Sequence, residues 1–237
     1  MKTASLAGTS RGAKVHQWTV SNSLDAASVA AADFIAAQIS ASIEARGVCH
    51  MIVPGGNTPA RCFALLAEMP LQWGKVHCYP GDERCYEKGH AERNDVMIEA
   101  NLLSHISDVH FYPMPAELGA EQAAEAYRAM IDPIGLFDIA FLGMGEDGHT
   151  ASLFPGNEAL GQTKSVVAVH GSPKPPADRV SMSLPTIRQA RQRVVLTAGA
   201  SKRAIMARIR AGEPLPVNQV GDIHWFVDEL SISKDRG

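Results

Sequence analysis

Short apolar runs alternate with amphipathic segments along the chain. Runs of four to eight residues rich in Val, Ile and aromatic residues predict buried β-strands. The predicted strands are VCHMIV (48–53), KVHCYP (75–80), VHFYPM (109–114), FDIAFLGM (137–144), SVVAVH (165–170), RVSMSL (179–184), RVVLTAG (193–199) and IHWFVDEL (223–230).

The segments between these runs have the apolar spacing and the alanine content of helices. The predicted helices are 24–46, 58–69, 94–103, 119–131 and 201–211. Gly47 follows the first helix as a typical C-terminal glycine. Thr58 is a candidate N-cap for the second, with Pro59 in its first turn.

Strands that alternate with helices predict an α/β fold, with a mainly parallel, Rossmann-like sheet flanked by helices on both faces. The chain shows no internal repeat and no linker, so we expect one α/β domain over residues 14–237. Residues 1–13 are expected to form a flexible tail, and the proline-rich segment 171–179 a loop over one edge.

The composition of the chain argues against several classes of protein. A net charge of −3 argues against a nucleic-acid surface, and the absence of a run of about 18 apolar residues argues against a membrane span. Four cysteines without C-x-x-C spacing indicate reduced thiols in a cytoplasmic protein. The nine histidines include no H-E-x-x-H pattern, so no metal site is predicted.

In parallel sheets, ligands bind at the carboxyl ends of the strands, which selects four turns for chemistry. The turn PGGNTP suits a phosphate monoester. Gly55 and Gly56 allow close backbone approach, Asn57 and Thr58 offer side-chain donors, and the following helix offers free N–H groups. The alternative is an ordinary strand-to-helix turn.

The turn GMGEDGHT matches G-x-G-x-x-G, but a dinucleotide is disfavoured. Glu146 and Asp147 would place carboxylates beside the pyrophosphate, and residues 159–177 contain no acid for the ribose. The turn instead presents His149 as a proton acceptor, with Asp147 to orient it. The alternative is that these side chains only cap the turn.

The other two turns carry cations. In TAGASK, Lys202 lies in the first turn of a helix, where the dipole disfavours a cation unless an anion is bound. In PGDER, Asp82 and Arg84 follow a strand, and an arginine there can hold an oxyanion or hydroxyl groups. Arg179 is a further cation without a positional signal. Each charge could equally be a solvated surface group.

Together these segments resemble the 6-phosphogluconolactonase family, which shares its fold with the glucosamine-6-phosphate isomerase/deaminases. The resemblance rests on GGNTP, on GDER followed by His90 and Asn94, on LGMGEDGHTASLFPG, on PPADRVSMSLPTI and on GASK, and it spans about residues 25–230. Asn57 replaces the usual serine of the phosphate loop, and Arg93 stands where serine is common. These departures put loop details in doubt.

The resemblance implies hydrolysis of 6-phospho-D-glucono-1,5-lactone without metal or cofactor. A deaminase is the main alternative, but that relative has a tyrosine at the position of Arg84 and a glutamate soon after its D-G-H motif, which TASLFPG lacks. A non-catalytic sugar-phosphate sensor is a second alternative. The presence of both Asp147 and His149 disfavours it.

The resemblance also assigns roles to single residues. His149, Asp147 and Arg84 are expected to be catalytic. Substrate and phosphate binding is expected of Gly55, Gly56, Asn57, Thr58, Asp82, Arg179 and Lys202. We expect a small sugar-phosphate lactone as the ligand and neither nucleic acid nor a membrane as a partner. The expected oligomeric state is a monomer, with a weak dimer as the alternative.

Overall fold

The computed structural model describes residues 16–232, so the predicted tail at 1–13 lies outside the described residues. The strands are β1 (Gln17–Ser21), β2 (Cys49–Val53), β3 (Val76–Pro80), β4 (Asp82–Arg84), β5 (His110–Phe111), β6 (Ile139–Leu142), β7 (Val166–Val169), β8 (Arg179–Met182), β9 (Gln192–Thr197) and β10 (His224–Asp228). The α-helices are α1 (Leu24–Arg46), α2 (Ala60–Ala67), α3 (Asn94–Asn101), α4 (Ala120–Ile131), α5 (Leu184–Gln189), α6 (Arg203–Arg210) and α7 (Glu229–Ile232).

Seven strands form a sheet in the order β1-β10-β9-β6-β2-β3-β5, and every neighbouring pair is parallel. Helices cover both faces of this sheet, and the predicted fold class is confirmed. Apolar side chains on one face of the sheet pack against α1, α2 and α3, while those on the other face pack against α4, α5 and α6.

The chain changes direction in this sheet between β2 and β6. From β2 it proceeds outward through β3 to β5, and from β6 it proceeds outward on the other side through β9 to β10. The turns that follow β2 and β6 therefore diverge at the centre of the carboxyl edge. Such a switch point is where open α/β sheets bind ligands.

Helix α1 is the longest described helix. Ser23 caps its start by accepting a hydrogen bond from the Ala26 amide, and Gly47 ends it with a φ of 78°. Its length and hydropathy would allow a membrane span, yet nearly half of its most apolar stretch is buried against the sheet and α2. This packing accounts for its apolar face.

A second, antiparallel sheet in the order β4-β8-β7 lies on the α4 side of the first and was not predicted as a separate sheet. Residues 82–84 were expected in a turn, but they form β4 and pair with β8. Residues 183 and 184, predicted as strand, instead cap and begin α5, where Ser183 accepts from the Thr186 amide.

Other element boundaries also differ from the prediction. Strand β1 was missed because none of its residues is buried, so no apolar run marks it. The predicted strand 109–114 is reduced to the two residues of β5, and β10 ends at Asp228, after which α7 begins. Thr58 does not cap α2: Pro59 occupies the cap position, and no side chain bonds there.

Candidate active site

A histidine–aspartate pair lies in the turn after β6. The Asp147 Oδ1 atom is 2.6 Å from the His149 Nδ1 atom and also accepts the His149 backbone N–H at 3.1 Å. Burial raises the pKa of Asp147, but these hydrogen bonds outweigh it and lower the pKa to about 2. A carboxylate on Nδ1 fixes the tautomer, which leaves Nε2 as the nitrogen that can accept a proton.

The glycines of this turn make room for the pair. A Cβ atom on Gly145 would lie 2.1 Å from the Nδ1 and Cε1 atoms of His149, so no larger residue fits without moving the ring. Gly148 has a φ of 82°, which favours glycine. Gly145 therefore makes room for the His149 ring and Gly148 allows the turn, whereas a Cβ on Gly143 would face open space.

The loop after β2 faces the same cavity. Its backbone turns at Gly56 with a φ of 89°. Gly55 packs against the Asn94 side chain so closely that a Cβ would lie 1.9 Å from the Asn94 Oδ1 atom. Because Thr58 caps no helix, its hydroxyl is not used at the start of α2.

Two arginines stand opposite each other beside this loop. Arg84 on β4 is the register partner of Arg179 on β8. Arg179 is buried, and its guanidinium lies 5.7 Å from the centre of the Phe154 ring. Arg84 donates from Nη1 to the Glu92 carbonyl, while its Nε atom is buried without a hydrogen-bond partner in the described part of the chain.

Asp82 is held from two sides. The Ser152 hydroxyl donates to its Oδ2 atom, and the Asn94 Nδ2 atom donates to its carbonyl at 2.8 Å and to its Oδ1 atom at 3.2 Å. Asn94 and Ser152 were not predicted as site residues. Both residues lie in segments on which the resemblance rests, and this was the signal that could have found them.

Glu83, the central residue of β4, is fully buried. Its carboxylate accepts the backbone N–H groups of Arg84, Asn94 and Asp95, and so it caps the start of α3. Burial raises the pKa of Glu83 to about 7, while the backbone N–H groups act in the opposite direction. This contact fixes the backbone that carries Arg84.

Lys202 lies in a short 3-10 turn, Ala200–Lys202, directly before α6. Its Nζ atom donates to the Met144 carbonyl at 2.8 Å. Burial lowers the pKa of Lys202, and Glu146 and Asp147 act against this shift. The ammonium group is thus held beside the turn that carries the histidine.

The cavity at the switch point has a volume of about 180 Å³. Eight of the ten predicted site residues line it: Gly55, Gly56, Asn57, Thr58, Asp82, Arg84, His149 and Arg179. Asp147 and Lys202 do not line it, but they contact His149 and the Met144 carbonyl, and both His149 and Met144 are lining residues. Within residues 16–232, no group of three or more His, Cys, Asp or Glu side chains is placed to hold a metal.

The fold and the site define an α/β protein with an acid–base pair next to a cation-lined cavity at a switch point. The family described as glucosamine-6-phosphate isomerases/6-phosphogluconolactonase matches residues 22–226. The chain belongs to this family.

Sequence relatives extend over most of the chain. It is 34% identical over 221 residues to a 6-phosphogluconolactonase of Mycobacterium tuberculosis, covering 83% of this chain and 89% of that protein. It is 32% identical over 213 residues to a 6-phosphogluconolactonase of Synechocystis, covering 82% and 88%.

Solved structures agree with the fold. A 6-phosphogluconolactonase from Trypanosoma brucei superposes with a TM-score of 0.81 at 26% identity, covering 92% of this chain and 98% of that one. A monomeric glucosamine-6-phosphate deaminase superposes with a TM-score of 0.79 at 18% identity, covering 91% and 98%. The second likeness shows the fold alone.

Proposed function

We propose that this protein hydrolyses 6-phospho-D-glucono-1,5-lactone to 6-phospho-D-gluconate in the oxidative pentose phosphate pathway, without metal or cofactor. The observation that carries the proposal is the 2.6 Å contact between His149 Nδ1 and Asp147, in a cavity that the ring shares with Arg84 and Arg179. A general base and a positively charged site that can bind an anion therefore lie close enough together to act on one small substrate.

His149 acts as the general base. Its Nε2 atom takes a proton from a water molecule as the water oxygen attacks C1 of the lactone, which places a negative charge on the carbonyl oxygen. When this intermediate collapses, the C1–O5 bond breaks and the imidazolium returns the proton to O5. Asp147 holds the tautomer and stabilises the imidazolium.

Arg84 stabilises the charge on the carbonyl oxygen or holds the sugar hydroxyls. The buried Nε atom without a partner supports this role, because a buried donor is costly unless a ligand accepts from it. Asp82 lines the same cavity and accepts from Ser152 and Asn94, so its position is fixed for hydrogen bonds from sugar hydroxyls.

The phosphate binds at the loop Gly55, Gly56, Asn57 and Thr58, together with Arg179 and Lys202. The amides before α2 and the positive φ of Gly56 favour an anion at this position. Asn57 donates through its amide where relatives have a serine. Lys202 would bind the phosphate from its place beside Met144.

The same proposal includes a cytoplasmic location and a monomer, with a weak dimer as the alternative. The four cysteines, Cys49, Cys62, Cys78 and Cys85, are free thiols, as expected in a reducing compartment.

The test is a spectrophotometric assay of freshly prepared phosphogluconolactone, corrected for spontaneous hydrolysis. Wild type should accelerate hydrolysis, and His149→Ala should lower kcat by roughly 10²- to 10⁴-fold, the usual range for a general base. His105→Ala is the control, since His105 is exposed and distant in the chain. Deamination of glucosamine 6-phosphate without lactone hydrolysis would overturn the proposal.

A further inference from the structure

The loop between β7 and β8, residues 171–178, is closed at its base and is called the proline loop below. His170 Nδ1 lies 2.8 Å from Asp178 Oδ1, and the Ser172 amide donates to the Ala177 carbonyl at 2.9 Å. His170 Nε2 also lies 2.6 Å from Glu121 on α4. These contacts fix the loop relative to the body of the protein.

The proline loop is folded around the guanidinium of Arg179. The Nη2 atom donates to the carbonyls of Lys174 at 3.1 Å and Pro175 at 3.2 Å, and Nε donates to Pro176 at 3.4 Å. Because Arg179 lines the cavity, its bonds hold the backbone of Lys174 next to the proposed phosphate site. Arg179 therefore holds the backbone of the proline loop in addition to its proposed role in phosphate binding.

The side chain of Lys174 is exposed, and its charge acts on Lys202. No ion pair of Lys174 occurs in residues 16–232. Its charge is one of the causes that lower the pKa of Lys202, after burial as the largest. Two lysines and Arg179 therefore share one region, in which Glu146 and Asp147 offset part of the charge of Lys202 and Asp82 offsets part of that of Arg179.

We propose that Lys174 is a further phosphate-binding residue, whose ammonium group acts on the substrate phosphate together with Lys202 and Arg179. The inference rests on the proposed function for the identity of the ligand. Cations that approach each other repel, and a dianion between them converts this repulsion into attraction. The sequence pattern gave no signal for Lys174, since it looks like a solvated lysine in a proline-rich loop.

The experiment compares Lys174→Ala and Lys174→Arg with wild type on the phosphorylated lactone and on unphosphorylated glucono-1,5-lactone. Lys202→Ala is the positive control, and Lys164→Ala, an exposed lysine outside the cavity, is the matched negative control. Lys174→Ala should raise KM for the phosphorylated lactone about 3- to 20-fold. Its kcat, and its activity on the other lactone, should stay at the wild-type level, and Lys174→Arg should retain most of the affinity.

Equal effects of Lys174→Ala on both lactones, or no effect on either, would overturn the inference. Calorimetric titration with 6-phosphogluconate and with gluconate separates this outcome from failure of the proposed function. If wild type hydrolyses no lactone but Lys174→Ala still binds 6-phosphogluconate more weakly, the function fails and the role of Lys174 stands. If wild type hydrolyses the lactone normally and Lys174→Ala binds 6-phosphogluconate as wild type does, only the role proposed for Lys174 is wrong.

Discussion

Arg84 and Arg179 occupy directly opposed positions on the antiparallel strands β4 and β8. Like charges that face each other across a sheet are destabilising. Burial lowers the pKa of Arg179; Asp82 acts against this shift, and Arg84 adds to it. Asp82 offsets part of the cost of this pair, and an anion bound beside the two arginines would offset more of it.

This relationship predicts anion-dependent stability. Inorganic phosphate at about 100 times its Kd should stabilise the fold by about 2.7 kcal/mol and raise Tm by roughly 5–10 °C. Arg84→Gln and Arg179→Gln should each lose most of this rise, measured by differential scanning fluorimetry. Arg61→Gln, which breaks only an exposed pair with Asp25, should keep all of it. A full rise in both arginine variants would exclude the pair from anion binding.

Substitution by alanine should have different effects at Gly143 and at Gly145, the two glycines of the G-x-G pattern. Gly145→Ala places a methyl group against the His149 ring and should reduce kcat by about 10²-fold or more, since the ring must leave its position beside Asp147. Gly143→Ala meets nothing within 4 Å and is the matched control, with kcat close to wild type. Affinity for 6-phosphogluconate should change little in either variant. Equal losses of kcat would contradict the packing role of Gly145.

A row of histidines predicts acid-sensitive stability. His50, His77 and His110 are register partners on β2, β3 and β5, with ring centres 5.0 and 4.5 Å apart. Burial lowers the pKa of His50 and of His77, and for His77 the neighbouring histidines lower it further; Asp138 opposes the shift of His50.

The direction of this pH effect on stability follows from proton linkage. Because the folded pKa of each histidine is below its unfolded value, the unfolded chain binds more protons at these sites, and their contribution to the free energy of unfolding falls as pH drops through about 6.5. Glu83, whose folded pKa is raised to about 7, acts in the opposite direction in the same pH range. Urea melts at pH 7.5 and 5.5 should show this loss, and His77→Gln should reduce it. The exposed His105→Gln is the control. The same change of stability between these pH values in wild type and in His77→Gln would contradict the prediction.

Metal independence is a further expected outcome. The proposed chemistry uses an acid–base pair and cations from the chain itself, so activity should survive EDTA treatment and exhaustive dialysis. NAD and NADP should show no binding at micromolar concentrations. Loss of activity with EDTA and its recovery with zinc or magnesium would mean that water is activated by a metal rather than by His149.

The parts of the site that could be predicted are those that depend on strand ends. The turns after β2 and β6 follow strongly apolar runs, and in a parallel sheet their positions at one edge follow from the fold class. His149, Asp147 and the loop Gly55–Gly56 were found in this way, and the structure brings them together.

The remaining parts depend on contacts between distant segments. Asp82 and Arg84 were predicted as site residues of a turn, and only the pairing with β8 shows that residues 82–84 form a strand in which Asp82 and Glu83 are buried. Position 55 requires glycine because the Asn94 side chain occupies the space that a Cβ would take. The two residues are 39 positions apart in the sequence. No local pattern carries such information, so the contacts of Asn94 and Ser152 with Asp82 are found only in the structure.

The change of chain direction between β2 and β6 has a consequence for synthesis on the ribosome. A nascent chain that has emerged as far as β6 and the following turn already contains the histidine and the glycine loop. It still lacks β8, which pairs with β4, and β9, which covers the open side of β6. We therefore expect catalysis to begin only once most of the polypeptide has left the exit tunnel, and fragments ending before β9 to be inactive even when they are compact.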